Sequence, residues 1–399
     1  MRAPELETAV PTGTDPRSHA RELARTREAA LSGARPRTLP RKVIGESWQR
    51  LLGAGMDPDR GATTGLLDEA ELGKRREQCG LAPVLETLRA NLAPIAEQSE
   101  AIVVVADADG RVLWRDGSNP VRRRADRLGF TPGSDWAERA VGTNAIGTAL
   151  VVGHPVQVYS AEHFVRSHHP WTCAAAPVRD PRGGGLLGVV DLSGPVSTVH
   201  PSTLALATTA ARLAESELAG AHRADLERLR AVAAPLLAGV RGPALVTDPH
   251  GWVAAVGDLA PVERVPLPAE PAPRTWLPSF GECACEPVPG GWLLRLDASE
   301  PAGESAVELD LRAGHRLLRV HTPSGTWQQP LSPRHAEILQ LLARHPQGRS
   351  AAQLAAALFG DARRVVTVRA EMSRLRRHLA GLLDHRPYRL TAPATVRTG

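Results

Sequence analysis

The sequence has almost no lysine. Lys42 and Lys74 are the only two, and every other basic side chain that is not histidine is arginine. Aromatic residues are scarce too, at 4% of 399 residues, with eight Trp, four Phe and two Tyr. No run of 18 or more apolar residues occurs, so no membrane-spanning helix is expected. The first forty residues are polar and Arg-rich and lack an apolar signal core, which points to a cytoplasmic location. The four cysteines, Cys79, Cys173, Cys283 and Cys285, form no disulfide or zinc framework. Cys283-Ala-Cys285 is one residue tighter than a zinc half-site, and no second half follows. Reduced thiols and no metal are therefore expected. A G-x-x-x-x-G-K-[ST] phosphate loop is also missing, so no P-loop ATPase activity is expected. No nucleophile sits in a triad-like context, and neither an enzyme nor a cofactor is expected.

What is present suits a multidomain α+β protein. Hydrophobic residues make up 42% of the chain, enough for ordinary cores. At roughly 100–200 residues per domain, two or three domains fit the length. The net charge of +5 is unevenly placed. Leu331 to Gly399 holds twelve arginines and four acidic residues, so the remainder is slightly acidic.

Residues 1–40 read as a disordered segment with a short helix from Ser18 to Leu31. Residues 41–100 read as a helical lead-in: one helix from Lys42, then two more broken near Gly80 and Pro83. Ala101 to Asp107, the turn Asp107-Ala-Asp-Gly110 and Arg111 to Trp114 read as a hairpin. Asn119 to Asp135 reads as a basic loop whose arginines form a solvated face. Trp136 to Val151 is helical but punctuated by Gly142 and Gly147, with Gly153 just beyond; each glycine within a helix costs about 1 kcal/mol against alanine. That cost suggests close backbone approach. Val156 to Tyr159 and Leu186 to Leu192 alternate as strands, and Asp180-Pro-Arg-Gly-Gly-Gly185 is the turn before the second.

Gly142-Thr-Asn-Ala-Ile-Gly-Thr-Ala-Leu150, Glu162-His163-Phe164, Trp171-Thr-Cys173-Ala-Ala-Ala-Pro177 and Gly188-Val-Val-Asp-Leu-Ser-Gly194 occur in one order. In this the region from Arg41 to Glu217 resembles the GAF sensor of bacterial regulators of the acetoin/glycerol-metabolism type. The resemblance implies an antiparallel sheet with flanking helices at 101–199 that senses a small-molecule effector. By pocket position, the effector contacts expected are Trp136, Thr143, Asn144, His163, Phe164 and Trp171. His154, His163, His168 and His169 have spacings that match no standard metal or haem site. Cys173 reads as core, and Asp191 with Ser193 as a strand-end polar pair.

Residues 200–240 read as an Ala/Leu-rich output helix with a seam suited to a homodimer. Residues 241–328 read as a β-rich module whose first hairpin, Ala244 to Val256, repeats the grammar of the earlier one and weakly resembles a PAS core. Its strand pairs are Gly291 to Leu296 after a Pro-Gly-Gly turn, and Ala306 to Leu311 with His315 to His321. Pro261 to Pro278 reads as a proline-rich loop. Residues 329–399 read as three capped helices, the third with Val368, Met372, Leu375 and Leu379 on one side and basic residues opposite. "Ser-Arg-Leu-Arg-Arg" followed by "Tyr-Arg-Leu" resembles a response-regulator-type winged helix-turn-helix. Arg369, Ser373, Arg374, Arg376 and Arg377, with Arg386 and Arg389 on the wing, are the expected contacts to double-stranded DNA. The resemblance departs from the acetoin-type regulators in lacking their central ATPase. The expectation is thus a ligand-responsive DNA-binding transcription regulator that works with RNA polymerase without ATP hydrolysis; the alternative is a signalling adaptor that docks a protein partner through its GAF domain.

Overall fold

Hydrophobic stripes and caps set most of the elements seen in the computed structural model, which describes residues 7–59, 65–268, 271–278, 280–296, 306–312, 316–322, 325–379 and 382–397. The chain divides into two units, Met1–His222 and Arg223–Gly399.

The N-terminal unit begins with α1 (Pro16–Leu31), capped by Asp15 and carrying Pro at its start. The short helix expected at Ser18 to Leu31 within this segment is α1, which starts two residues earlier and buries Leu23, Thr26 and Arg27. There follow α2 (Lys42–Gly53), α3 (Glu69–Gln78), α4 (Leu85–Gln98), β1 (Ile102–Asp107) and β2 (Val112–Gly117). The stretch read as a basic loop contains a helix, α5 (Asn119–Asp126), because Val121 and Ala125 bury one side of it. Then come α6 (Glu138–Val141), α7 (Ala145–Val152), β3 (Val156–Tyr159), β4 (Trp171–Arg179) and β5 (Leu186–Pro195). The five strands form one antiparallel sheet in the order β2-β1-β5-β4-β3.

Both faces of this sheet are covered, so its strands read as nearly unbroken apolar runs. Ile102, Val104, Val158, Cys173, Ala175 and Val189 point to one side, against α7, Trp136, Phe164 and α2. Val103, Val105, Ala176, Val190 and Leu192 point to the other, against α4 and the start of α8 (Pro201–Gly239).

In the C-terminal unit, β6 (Ala244–Thr247), β7 (Val253–Gly257), β8 (Arg274–Leu277), β9 (Gly281–Val288) and β10 (Gly291–Leu296) form a second antiparallel sheet in the order β7-β6-β10-β9-β8. This is the strand order of the first sheet. The hairpins also match in detail. The carboxylates of Asp107 and Asp248 each accept two backbone N–H bonds in the turn, from Asp109 and Arg111 and from His250 and Trp252. Strand β8 lies within the stretch read as a loop; Thr275, Trp276 and Leu277 are buried despite the flanking prolines.

Strands β11 (Ala306–Asp310), β12 (Leu317–Thr322) and β13 (Gly325–Pro330) were grouped by sequence with 241–296. They form a separate sheet, in the order β13-β12-β11-β16, with β16 (Ala394–Arg397) parallel to β11. His315, read as the start of β12, lies outside the described residues. Val307, Leu309, Leu318, Val320 and Trp327 pack with α9 (Pro333–Ala343), α10 (Ala351–Phe359) and α11 (Val365–Leu379) in one core. Val368, Met372, Leu375 and Leu379 are all buried in it. A short pair, β14 (Leu383–His385) and β15 (Tyr388–Leu390), follows α11.

Candidate functional site

The glycines of the N-terminal motif are set by close approach. Gly142 separates α6 from α7 at φ +76°, and a Cβ there would meet Phe164 Cβ at 2.7 Å. A Cβ on Gly147 would lie 2.2 Å from the backbone nitrogen of Glu138.

The six residues expected to contact an effector are all buried, at no more than 4% exposure. Trp136, Thr143, Asn144 and His163 each have a hydrogen-bond partner within the fold. Asn144 caps α7 by accepting from Gly147 N at 2.9 Å, and its amide donates to the carbonyls of Trp136 and Gly142. Thr143 and Ser47 share a hydroxyl bond of 2.6 Å. Trp136 donates to Ser134, lies tilted against Phe130 with ring centres 4.0 Å apart and meets the His168 ring at 5.1 Å. His163 bonds the Ser160 carbonyl through Nδ1 and meets His168 edge to face. Arg124 lies over the Trp171 ring at 5.4 Å. Phe164 packs on Gly142, and its carbonyl accepts from Arg27.

Sequence reasoning missed the brackets that hold this layer. Arg41 makes two bonds of 2.8 Å to Glu162, whose backbone carbonyl accepts from Trp48. Arg50 and Thr148 both bind Glu138. The signal available in sequence was a Glu in each apolar motif with an Arg in the lead-in helix.

Burial controls the titratable groups here. It lowers His163 to about 3 and His168 and His169 to about 4, so all three are neutral. It raises Asp191 to about 7, against a bond from Ser193 that lowers it. The Cys173 thiol is pushed up by burial and by Asp191, away from the thiolate that redox chemistry needs. Among the described residues no three His, Cys, Asp or Glu side chains are placed to share a metal ion. Among them, too, no helix is long and apolar enough to cross a membrane.

In the C-terminal unit, a concavity of about 820 Å³ lies between α11, the start of α10 and the β14–β15 turn. Arg369, Ser373 and Arg376 line it at helical spacing, with Arg386 from the turn. It also gathers residues that sequence reasoning left aside: Arg349, His385, and Ser350 at the capped end of α10. Arg349 and Tyr388 exchange backbone bonds, which brings the two segments together. The remaining expected contacts stand apart from this lining. Arg374 pairs with Glu371 on its own helix, and Arg389 pairs with Asp384. The side chain of Arg377 lies outside those described.

Residues 19–216 match the family described as MimR, N-terminal domain. The match falls within the N-terminal unit. An uncharacterized 47.3 kDa protein in the thcA 5' region of Rhodococcus erythropolis is 33% identical over 360 residues, 90% of this chain and 65% of that protein. The acetoin dehydrogenase operon transcriptional activator AcoR of Bacillus subtilis is 38% identical over 188 residues, 46% of this chain and 30% of that one. The propane 2-monooxygenase operon transcriptional activator MimR of Mycolicibacterium smegmatis is 32% identical over 204 residues, 49% of this chain and 33% of that one. The chain thus spans 65% of the first relative's length and about a third of that of the two activators. Both named proteins are transcriptional activators of operons.

Proposed function

We propose that this chain is a ligand-responsive, sequence-specific DNA-binding transcription regulator. A GAF-type sensor at 101–199 controls a C-terminal winged helix-turn-helix, with α8 as output and dimerisation helix and 241–296 as a PAS-like module. The observation that carries this reading is the basic concavity. Arg369 and Arg376 on one face of α11, Arg386 in the β14–β15 turn and Arg349 just before α10 gather there, where they suit phosphates. The capped start of α10 adds backbone N–H groups of the right sign. A helix face of this kind fits a major groove, in which arginine reads guanine edges. Trp136, Thr143, Asn144, His163, Phe164 and Trp171 form the layer through which the effector acts. To shift DNA occupancy, the effector must bind two conformations with different affinity. The named activator relatives support regulation of an operon. With no phosphate loop in these residues, the reading is action on RNA polymerase without ATP hydrolysis.

The test is binding of the purified chain to DNA upstream of its own coding region across a salt series. Arg369→Ala and Arg376→Ala should each cost about 1–3 kcal/mol if they read a base, or flatten the salt slope by about one if they hold a phosphate. Arg374→Ala should cost less than either. Weak binding to any DNA, unchanged in these variants, would overturn the reader and favour an adaptor.

A further inference from the structure

Packing accounts for only one of the two long faces of α11. Val368, Met372, Leu375 and Leu379 bury the inner face. Opposite them, at i, i+4 and i+7, run Val366, Ala370 and Ser373, all three exposed. Val366 is 78% exposed. The fold gains little from a valine there. It buries little apolar surface, and its branched side chain is a poorer helix former than alanine.

A lone apolar residue is ordinary on a protein surface. Val366 is not alone: it stands in line with two small side chains and between two rows of longer ones. Arg369 and Arg376 line the concavity on one side. Thr367 and Arg374 lie along the other side, both exposed. The sole acid of α11, Glu371, is engaged by His335 of α9 and by Arg374. The stripe is thus small and apolar at its centre and cationic at its flanks.

That pattern complements the major groove of DNA. Phosphates form the two rims, and the apolar group that the base pairs present on the floor is the C5-methyl of thymine. Valine neither donates nor accepts a hydrogen bond, so it gains nothing from a G·C edge. A protein partner would have to strip water from both rows of arginines to reach it. From Val366 to Ser373 the helix rises about 10 Å, which spans about three base pairs at roughly 3.4 Å each.

We propose that Val366 and Ala370 are specificity-determining residues that read thymine methyl groups, so that the preferred duplex carries T·A pairs at the positions beneath them. This rests on the DNA-binding reading above and names the bases it selects. The flanking arginines supply attraction to any duplex through its phosphates. The valine and alanine add a discrimination that charge cannot.

The experiment enriches duplexes from a random-sequence library on the full chain, then replaces each thymine of the enriched duplex by deoxyuridine, which lacks only the methyl. At one or two thymines, uracil should weaken binding by about threefold to tenfold. Val366→Ala, a change at an exposed position that favours the helix, should weaken the thymine duplex by a similar factor and leave the uracil duplex nearly unchanged. Arg369→Ala should weaken both duplexes alike. Indifference to uracil at every thymine, or a uracil effect undiminished in Val366→Ala, would overturn the proposal. So would a change of oligomeric state in Val366→Ala with binding to both duplexes unaltered, which would assign the stripe to a second copy of the chain. A chain that enriches a sequence yet ignores the methyl keeps the regulator and loses the thymine assignment. A chain that binds no duplex loses both.

Discussion

Single residues divide sharply by what surrounds them. Gly147 and Gly220 are both helical glycines, yet a Cβ on the first would strike backbone at 2.2 Å, while one on the second would meet nothing within 4 Å. Gly147→Ala is therefore expected to destabilise the N-terminal unit by about 1–3 kcal/mol or more, since backbone must move. Gly220→Ala is expected to stabilise it by about 1 kcal/mol through helix propensity. Urea midpoints of the two variants check this; shifts of the same sign would refute the packing account. The cost of these glycines was readable in sequence. The role of Asn144 was not, because its partners are carbonyls supplied by neighbouring turns. The full burial of Asp191, read as part of a strand-end polar pair, was not legible either. A strand-end acid beside a serine looks ordinary until the register reveals which face it occupies.

At the scale of the element, caps and stripes were the most legible features. Ser350 and Gln353 form a reciprocal capping box at the start of α10. Ser350→Ala should cost about 1 kcal/mol, with Gln353→Ala costing less, in urea unfolding of the C-terminal unit. An unchanged midpoint for Ser350→Ala would mean that the α10 terminus is held by other contacts. The buried stripe of α11 followed from spacing alone. Which arginines share the concavity did not, because Arg374 is turned aside by Glu371 through a pair that spacing does not rank. The grouping of β11 to β13 was likewise out of reach. Their parallel partner, β16, lies far along the chain, and no local pattern signals a pairing at that distance.

For the whole molecule, the buried histidines and Asp191 set a pH dependence whose sign can be worked out. His163, His168 and His169 titrate at about 3 to 4 in the fold, below the ordinary 6.5. Between pH 6.5 and 4 the unfolded chain therefore binds more protons, and stability falls as pH falls. Asp191 acts in the opposite sense: held at about 7 against an ordinary 3.8, it favours the fold less as pH rises through that window. Three groups oppose one, so the urea midpoint of the N-terminal unit should rise from pH 4.5 to 6.5. Asp191→Leu should steepen that rise. Tryptophan fluorescence at three pH values suffices, and a flat or falling midpoint would contradict neutral histidines in the core.

The basic concavity has one further consequence, in its chemistry with modifying agents. Its cationic charge comes from guanidiniums, with His385 as the only other titratable base in the lining. The two lysines of the chain, Lys42 and Lys74, both lie in the other unit. Lysine acetylation, which elsewhere switches basic surfaces off by removing charge, has no substrate on this one. The surface keeps its arginine charge at any physiological pH. Amine-directed labels or supports will leave it untouched.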